Sequence, residues 1–174
     1  MESDEILMRR FQQGDESAFV RLIERYQQKI FNFFIKNLSD YDLSEDLTQD
    51  VFLRVYKYGK SFNPRQKFRP WLYKIARNLL IKAIKSYHSD RRLKEELLYE
   101  HQLYFNPDYE VVEAVRNALN QLPEVQKEVV ILKQYQGLTF AEIAVVLNCP
   151  ESTVKSRMYQ ALRKLKKILK EFRR

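Results

Sequence analysis

The sequence predicts an all-α protein of two small helical domains joined by a linker, the C-terminal one a helix-turn-helix. Three observations carry this reading. Among 174 residues there are only three glycines and five prolines, while Leu, Lys, Glu, Gln and Arg dominate. Apolar residues recur at helical spacing in two separate blocks. Between the blocks, residues 86–110 are polar, mixed in charge and interrupted by Asn106-Pro107, as a linker would be. The expected divisions are 1–86, a linker over 87–110, and 111–174.

The elements follow in order. Residues 3–13 read as a short helix that Ser3 caps and Gly14 ends. After Asp15, the spacing of Phe19, Leu22, Ile23, Tyr26, Ile30, Phe33 and Phe34 gives a helix with one broad core face. A third helix covers about 43–58, with Leu47, Val51 and Val55 on one stripe. GKSFNPRQKFRP, with Gly59, Pro64 and Pro70, reads as a loop, and Pro70 can open the next helix at its first position. That helix runs to about Ser86 with Leu72, Ile75, Ala76, Leu79 and Ala83 inward. In the second block, residues 111–122 form one helix, and Pro123 begins another that ends near Gly137. Thr139 followed by Glu142 is a capping-box pattern for a short helix to Leu147, and the last helix starts at Pro150 or Glu151.

The net charge is +8, unevenly placed. Residues 152–174 hold nine Lys or Arg against the single acid Glu171, whereas 39–50 hold five acids and no base. Two oppositely charged surfaces point to two partners, one of them anionic. The lone Cys149 excludes an internal disulfide and fits a reducing compartment. The acidic start MESDEILMRR is unlike a signal peptide, and no apolar run reaches the ~18 residues a membrane span needs, so a soluble cytoplasmic protein is expected. There is no His/Cys metal spacing, P-loop, GxSxG or GxGxxG, and the two histidines, His88 and His101, both fall in the linker. Asp46 and Asp50 lie one helical turn apart without a third ligand. No enzyme activity, catalytic residue, metal or cofactor is expected.

In AEIAVVLNCPESTVKSR, a helix stops at Asn148, a residue tolerant of left-handed backbone, and another begins at once. Ala144 is small where the two helices approach, and Ile143, Leu147, Val154 and Met158 can share a core. At 100° per residue, Val154, Met158, Ala161, Leu162, Leu165 and Leu169 fall on one side of the last helix. Ser152, Lys155, Ser156, Tyr159, Gln160 and Arg163 fall on the other: donors, acceptors and cations suited to base edges in a major groove. Arg157, Lys164, Lys166 and Lys167 flank it, where phosphates would run. A basic bundle helix is the plainer reading, but cap, turn and two-faced helix together favour DNA.

The helix from Pro70 carries Trp71, Lys74, Asn78, Lys82 and Lys85 opposite its core stripe, with Tyr73 and Arg77 near. Cations interleaved with rings suit single-stranded nucleic acid, although spacing alone leaves Trp71 equally a core residue. Asp46, Gln49, Asp50, Leu53 and Tyr56 make an acidic edge around an apolar centre, a protein-docking face or a solvated one.

Four segments appear in order: GDESAFVRLIERY, SEDLTQDVFLRVY, SFNPRQKFRPWLYKIARN and LPEVQKEVVILKQYQGLTFAEIAVVLNCPESTVKSRMYQALRKLKK. Together they resemble the extracytoplasmic-function (ECF) sigma factors, group 4 of the sigma-70 family, over nearly the whole chain apart from the first dozen residues and the linker. The resemblance implies a promoter-recognition subunit of bacterial RNA polymerase. Region 2 would bind the polymerase core through Asp46, Gln49, Asp50, Phe52, Leu53 and Tyr56. Its loop Asn63, Pro64, Arg65, Gln66 and Lys67 would hold a base flipped from the −10 element. Phe68, Arg69, Trp71, Lys74, Arg77 and Asn78 would support the opened strand. Region 4 would contact duplex DNA at −35 through Ser152, Thr153, Lys155, Ser156, Arg157, Tyr159, Gln160 and Arg163. Expected partners are the polymerase core, promoter DNA and, as is common in the family, an anti-sigma factor. The chain departs from the common pattern at Lys82, where many members have Asp, at Ser152, where many have Gly, and at Cys149-Pro150, where a capping Ser is common. A stand-alone helix-turn-helix regulator is the alternative; it leaves the Trp71 face and the acidic helix without purpose.

Overall fold

The structure is a computed structural model that describes residues 2–90 and 109–172. Eight α-helices are present among them, with no strand. The first block holds α1 (Asp4–Gln12), α2 (Glu16–Leu38), α3 (Tyr41–Tyr58), a 3₁₀ turn (Gly59–Ser61) and α4 (Phe68–Asp90). The second holds α5 (Tyr109–Asn120), α6 (Glu124–Val130), a π-helical turn (Ile131–Tyr135), α7 (Phe140–Leu147) and α8 (Glu151–Phe172). Most of the expected linker, with His101 and the Asn106-Pro107 break, lies outside the described residues.

Short polar side chains start several of these helices, as their positions in the sequence dictate. Ser3 Oγ accepts from the Ile6 N–H at 3.3 Å, Asp15 Oδ1 from Ser17 at 3.1 Å, and Asp40 Oδ1 from Leu43 at 3.0 Å. The Asp40 cap begins α3 two residues earlier than the apolar stripe indicates. Thr139 and Glu142 close a reciprocal capping box on α7. Helix α4 begins two residues before Pro70, because the carboxylate of Glu5 on α1 accepts from the Phe68 N–H at 3.1 Å. Pro70 therefore occupies the third helical position, still within the turn whose N–H groups lack intrahelical partners. The same helix continues four residues past the expected end at Ser86.

Apolar stripes close the core. Leu7, Met8, Leu22, Ile30, Phe33, Phe34, Val51, Phe68, Leu72 and Ala76 are fully buried in the first block. Ile131, Leu132, Leu138, Ile143, Val154 and Ala161 are fully buried in the second. Each large side chain so removed from water contributes about 1.5–3 kcal/mol before entropy is counted. On α8, Val154, Met158 and Ala161 are inward as expected, while Leu162, at the edge of that stripe, is exposed and Leu165 and Leu169 are half-buried.

The two blocks share one continuous apolar cluster, with α4 packed on α7 and α2 on the π turn. Sequence reasoning anticipates two domains but not this docking. The π turn is also unanticipated. Its widened bond runs from the Gln136 N–H to the Ile131 carbonyl at 3.1 Å, and Gly137, at φ 64°, ends it while the Leu138 N–H bonds back to Leu132 at 3.0 Å.

Candidate nucleic-acid interface

The helix-turn-helix is assembled as its residues dictate. Asn148 takes the left-handed conformation, φ 50° and ψ 51°, and the Cys149 N–H bonds back to Ala144 at 3.1 Å. Helix α8 then leaves the turn with Val154, Met158 and Ala161 buried against α6 and α7. Ser152, Lys155, Ser156, Tyr159, Gln160 and Arg163 are all exposed on the opposite side. Tyr159 is 65% accessible, the most exposed of the large hydrophobic side chains on this face. Thr153 and Arg157 are half-buried instead, and the Arg157 guanidinium lies 3.9 Å from Cys149 Sγ, tucked under the turn. Neighbours hold the exposed row in place. Lys155 pairs with Glu151 at 2.7 Å, and Gln126 Nε2 donates to Gln160 Oε1 at 3.1 Å. Gln126, Gln160, Arg163, Lys164 and Lys167 line one basic groove beside it.

The second constellation lies on the loop before α4. Asn63 Oδ1 accepts from the Arg65 N–H at 3.0 Å and the Asn63 carbonyl from Gln66 at 2.9 Å, a tight turn that leaves 63–67 fully exposed. Beside it, Trp71 is half-buried, its ring 4.9 Å from Phe62 and 5.9 Å from Phe68, so it is neither pure core nor free. Lys74 and Asn78 face solvent. Phe68, expected to meet the opened strand, is fully buried instead: its ring packs edge-on to Tyr26 and Phe62. Tyr73 is also buried, donating to Gln136 Oε1 at 2.8 Å, and burial pushes its phenol well above the ordinary range.

Arg69 and Arg77 are already engaged. Arg69 donates to the Gln136 carbonyl at the end of the π turn. Arg77 forks onto Glu128 of α6 at 2.6 and 3.3 Å. Nearby, buried Lys127 reaches the Asn37 carbonyl at 3.3 Å and Asn120 Oδ1 at 2.9 Å, and burial lowers its pKa. Lys36 sits 4.0 Å over the Tyr135 ring. Thus Arg69, Arg77 and Lys36 of the first block engage the second, and Lys127 of the second reaches back to the first. Glu128, Gln136 and Lys127 were missed by sequence reasoning, since nothing local marks a residue whose partner is 51 to 90 positions away.

On α3, Asp46, Gln49, Asp50, Leu53 and Tyr56 are exposed together, and Leu53 is 66% accessible. Phe52, expected with them, points inward and is buried. Its position is one residue off the outward stripe, on the side that meets α2 and α4.

The described residues thus present an exposed polar and basic row on a helix-turn-helix and a partly exposed aromatic and basic face on α4. Residues 22–89 match the family model Sigma-70 region 2, and residues 112–165 match Sigma-70, region 4. The chain is 30% identical to the RNA polymerase sigma-H factor of Pseudomonas aeruginosa, over 97% of this chain and 94% of that one. It is 30% identical to the ECF RNA polymerase sigma-E factor of Haemophilus influenzae, over 91% of both. Among solved structures it is similar to the sigma factor RpoE of Bartonella quintana in complex with the anti-sigma factor NepR: TM-score 0.73 at 25% identity, covering 87% of this chain and 96% of that one. The fold also matches CnrH in complex with the cytosolic domain of CnrY, with TM-score 0.77 at 22% identity over 98% and 99% of the two chains. The chain belongs to the sigma-70 family. Within it, this is an ECF RNA polymerase sigma factor, a transcription initiation factor.

Proposed function

We propose that residues 1–86 act as region 2, binding polymerase and the −10 element, and 111–174 as region 4, reading −35, with the intervening residues tethering them. The observation that carries this is the exposed row Ser152, Lys155, Ser156, Tyr159 and Gln160 over a buried Val154–Met158–Ala161 stripe on one helix. That row supplies hydrogen-bonding heads at major-groove spacing, with Arg163, Lys164 and Lys167 beside it for phosphates. The turn 63–67 receives one flipped base of the non-template strand. Trp71, Lys74 and Asn78, with Arg69 and Arg77 once released from Gln136 and Glu128, support the neighbouring nucleotides. Asp46, Gln49, Asp50, Leu53 and Tyr56 dock on the core polymerase. Phe52 and Phe68 serve from the core.

Strand opening here is a matter of binding, with no bond made or broken. Flipping a base costs a few kcal/mol. Stacking on a ring returns about 1–3 kcal/mol per base and is available only to separated strands. Region 4, held to upstream duplex, raises the effective concentration of region 2 at the melting site. The protein acts in the cytoplasm, where its polymerase is, without a cofactor. An anti-sigma factor is the expected inhibitor, since similar folds are known in such complexes.

In vitro transcription with core polymerase tests the reading. The wild-type chain should give promoter-specific transcripts. Lys155→Ala should abolish dependence on the −35 element, and Trp71→Ala should lose open complexes while polymerase affinity holds. Duplex binding without any promoter-specific transcript would transfer the case to a stand-alone regulator.

A further inference from the structure

Helix α1 precedes the region 2 match, which begins at residue 22, yet it touches both stems of the exposed turn 63–67. On the upstream stem, the Gln12 side-chain amide donates to the carbonyls of Gly59 at 2.9 Å and Phe62 at 2.7 Å. Gly59 is pressed so closely on α1 that a Cβ there would lie 2.7 Å from Phe11 Cε1. On the downstream stem, Glu5 accepts from the Phe68 N–H, the first residue of α4. Helix α1 is itself fixed to α2: Asp4 accepts from Arg25 and from the Tyr26 hydroxyl, and Arg10 bridges Glu2 at 2.8 Å and Asp15 at 2.6 Å.

We infer that α1 is a splint for the strand-capturing turn, with Gln12 and Glu5 as positioning residues that hold its two stems at a fixed separation before a base arrives. The inference rests on the proposed role of residues 63–67. Its physical content is preorganisation: a turn ordered in advance loses less freedom on binding, so its contacts appear as affinity and base discrimination. Gln12 touches neither the exposed turn residues nor the outward face of α4, so it acts only through the stems. The carbonyls it reaches bracket the 3₁₀ turn: Gly59 opens it, its oxygen also accepting from the Phe62 N–H at 3.1 Å, and Phe62 closes it.

The test is a cycle crossing Gln12→Ala with abasic substitutions scanned along the non-template −10 strand. It uses holoenzyme on a promoter obtained by selection with the wild-type protein. In wild type, one abasic position should lower open-complex formation about tenfold or more, marking the captured base. Gln12→Ala should lower it by a similar factor on the intact promoter and almost nothing further on the abasic one. Core-polymerase affinity should stay unchanged, and Glu5→Ala should behave in the same way. Additive losses would show a general loss of stability and overturn the splint while leaving capture by the turn intact. If no abasic position matters in wild type, capture itself fails and the splint falls with it. Gln12→Glu, which keeps the length but removes the donor, should reproduce Gln12→Ala. Wild-type behaviour in that variant would also overturn the assignment.

Discussion

The Arg77–Glu128 pair joins α4 to α6, and replacing Glu128 with Gln removes its charge at almost constant volume. The fork is two-pronged, 2.6 and 3.3 Å, with side chains only 26% and 12% accessible. Two unit charges at about 4 Å in an effective dielectric of ~20 attract by about 4 kcal/mol. Desolvation of both groups takes back much of that, and bidentate charge-assisted geometry recovers part. The net falls at about 1–2 kcal/mol, or roughly a five- to thirtyfold shift towards separated blocks at 1.36 kcal/mol per decade. The assay is fluorescence transfer between dyes at Lys57→Cys and Lys166→Cys in a Cys149→Ser chain, both positions being exposed. Glu128→Gln should lengthen the mean separation. It should also tighten binding of a single-stranded oligonucleotide, because a larger fraction of molecules then offers a free Arg77. Binding of −35 duplex should not change, since the fork joins Arg77 to Glu128 and includes no residue of the exposed row on α8. Unchanged dye separation, or greater separation with no gain in single-strand affinity, would refute the idea that these guanidiniums serve two masters in turn.

Three further outcomes follow from local geometry. Asn148→Val should destabilise the chain by roughly 1–2 kcal/mol, since a β-branched residue is penalised at φ 50°, whereas Asn148→Gly should be nearly neutral in thermal melts. Gly59→Ala should cost about 1–3 kcal/mol by driving its methyl into Phe11, and the companion change Phe11→Leu should return part of that loss. Glu5 titrates below its ordinary value of 4.5. Burial pushes its pKa upward, but the hydrogen bond from Phe68, its own N–H, Ser3 and the charge of Lys67 outweigh it. A depressed carboxyl stabilises the fold above pH 4.5 and ceases to do so as pH falls through its lowered value, so the stability gap between wild type and Glu5→Gln should close on acidification. A gap independent of pH in denaturant titrations would contradict the carboxylate's role at the α4 terminus.

The helix-turn-helix was legible because its instructions are local. Thr139 and Glu142 are three residues apart, Asn148 fixes its own backbone, and the two faces of α8 follow from the helical period. The first block was legible in its apolar stripes but less so at its edges. The start of α4 depends on Glu5, 63 positions earlier, and no neighbour of Phe68 announces it. The family resemblance placed Phe52 and Phe68 among the contact residues, whereas packing drew both rings inward. The π turn has no compositional mark: ILKQY would serve an α-helix equally well, and only the docking of Gln136 against Arg69 and Tyr73 distinguishes it.

That widened turn works as a one-residue shim. Each residue added to or removed from a helix swings everything beyond it through about 100°. Deleting one position among Ile131–Tyr135 would therefore restore ordinary winding and turn Gln136 from Tyr73, along with the azimuth at which α7 and α8 are mounted. Under the proposed roles, relatives that differ by a single insertion here would hold the two DNA-facing surfaces at a different angle, a route to new promoter spacing without any change in the contact residues.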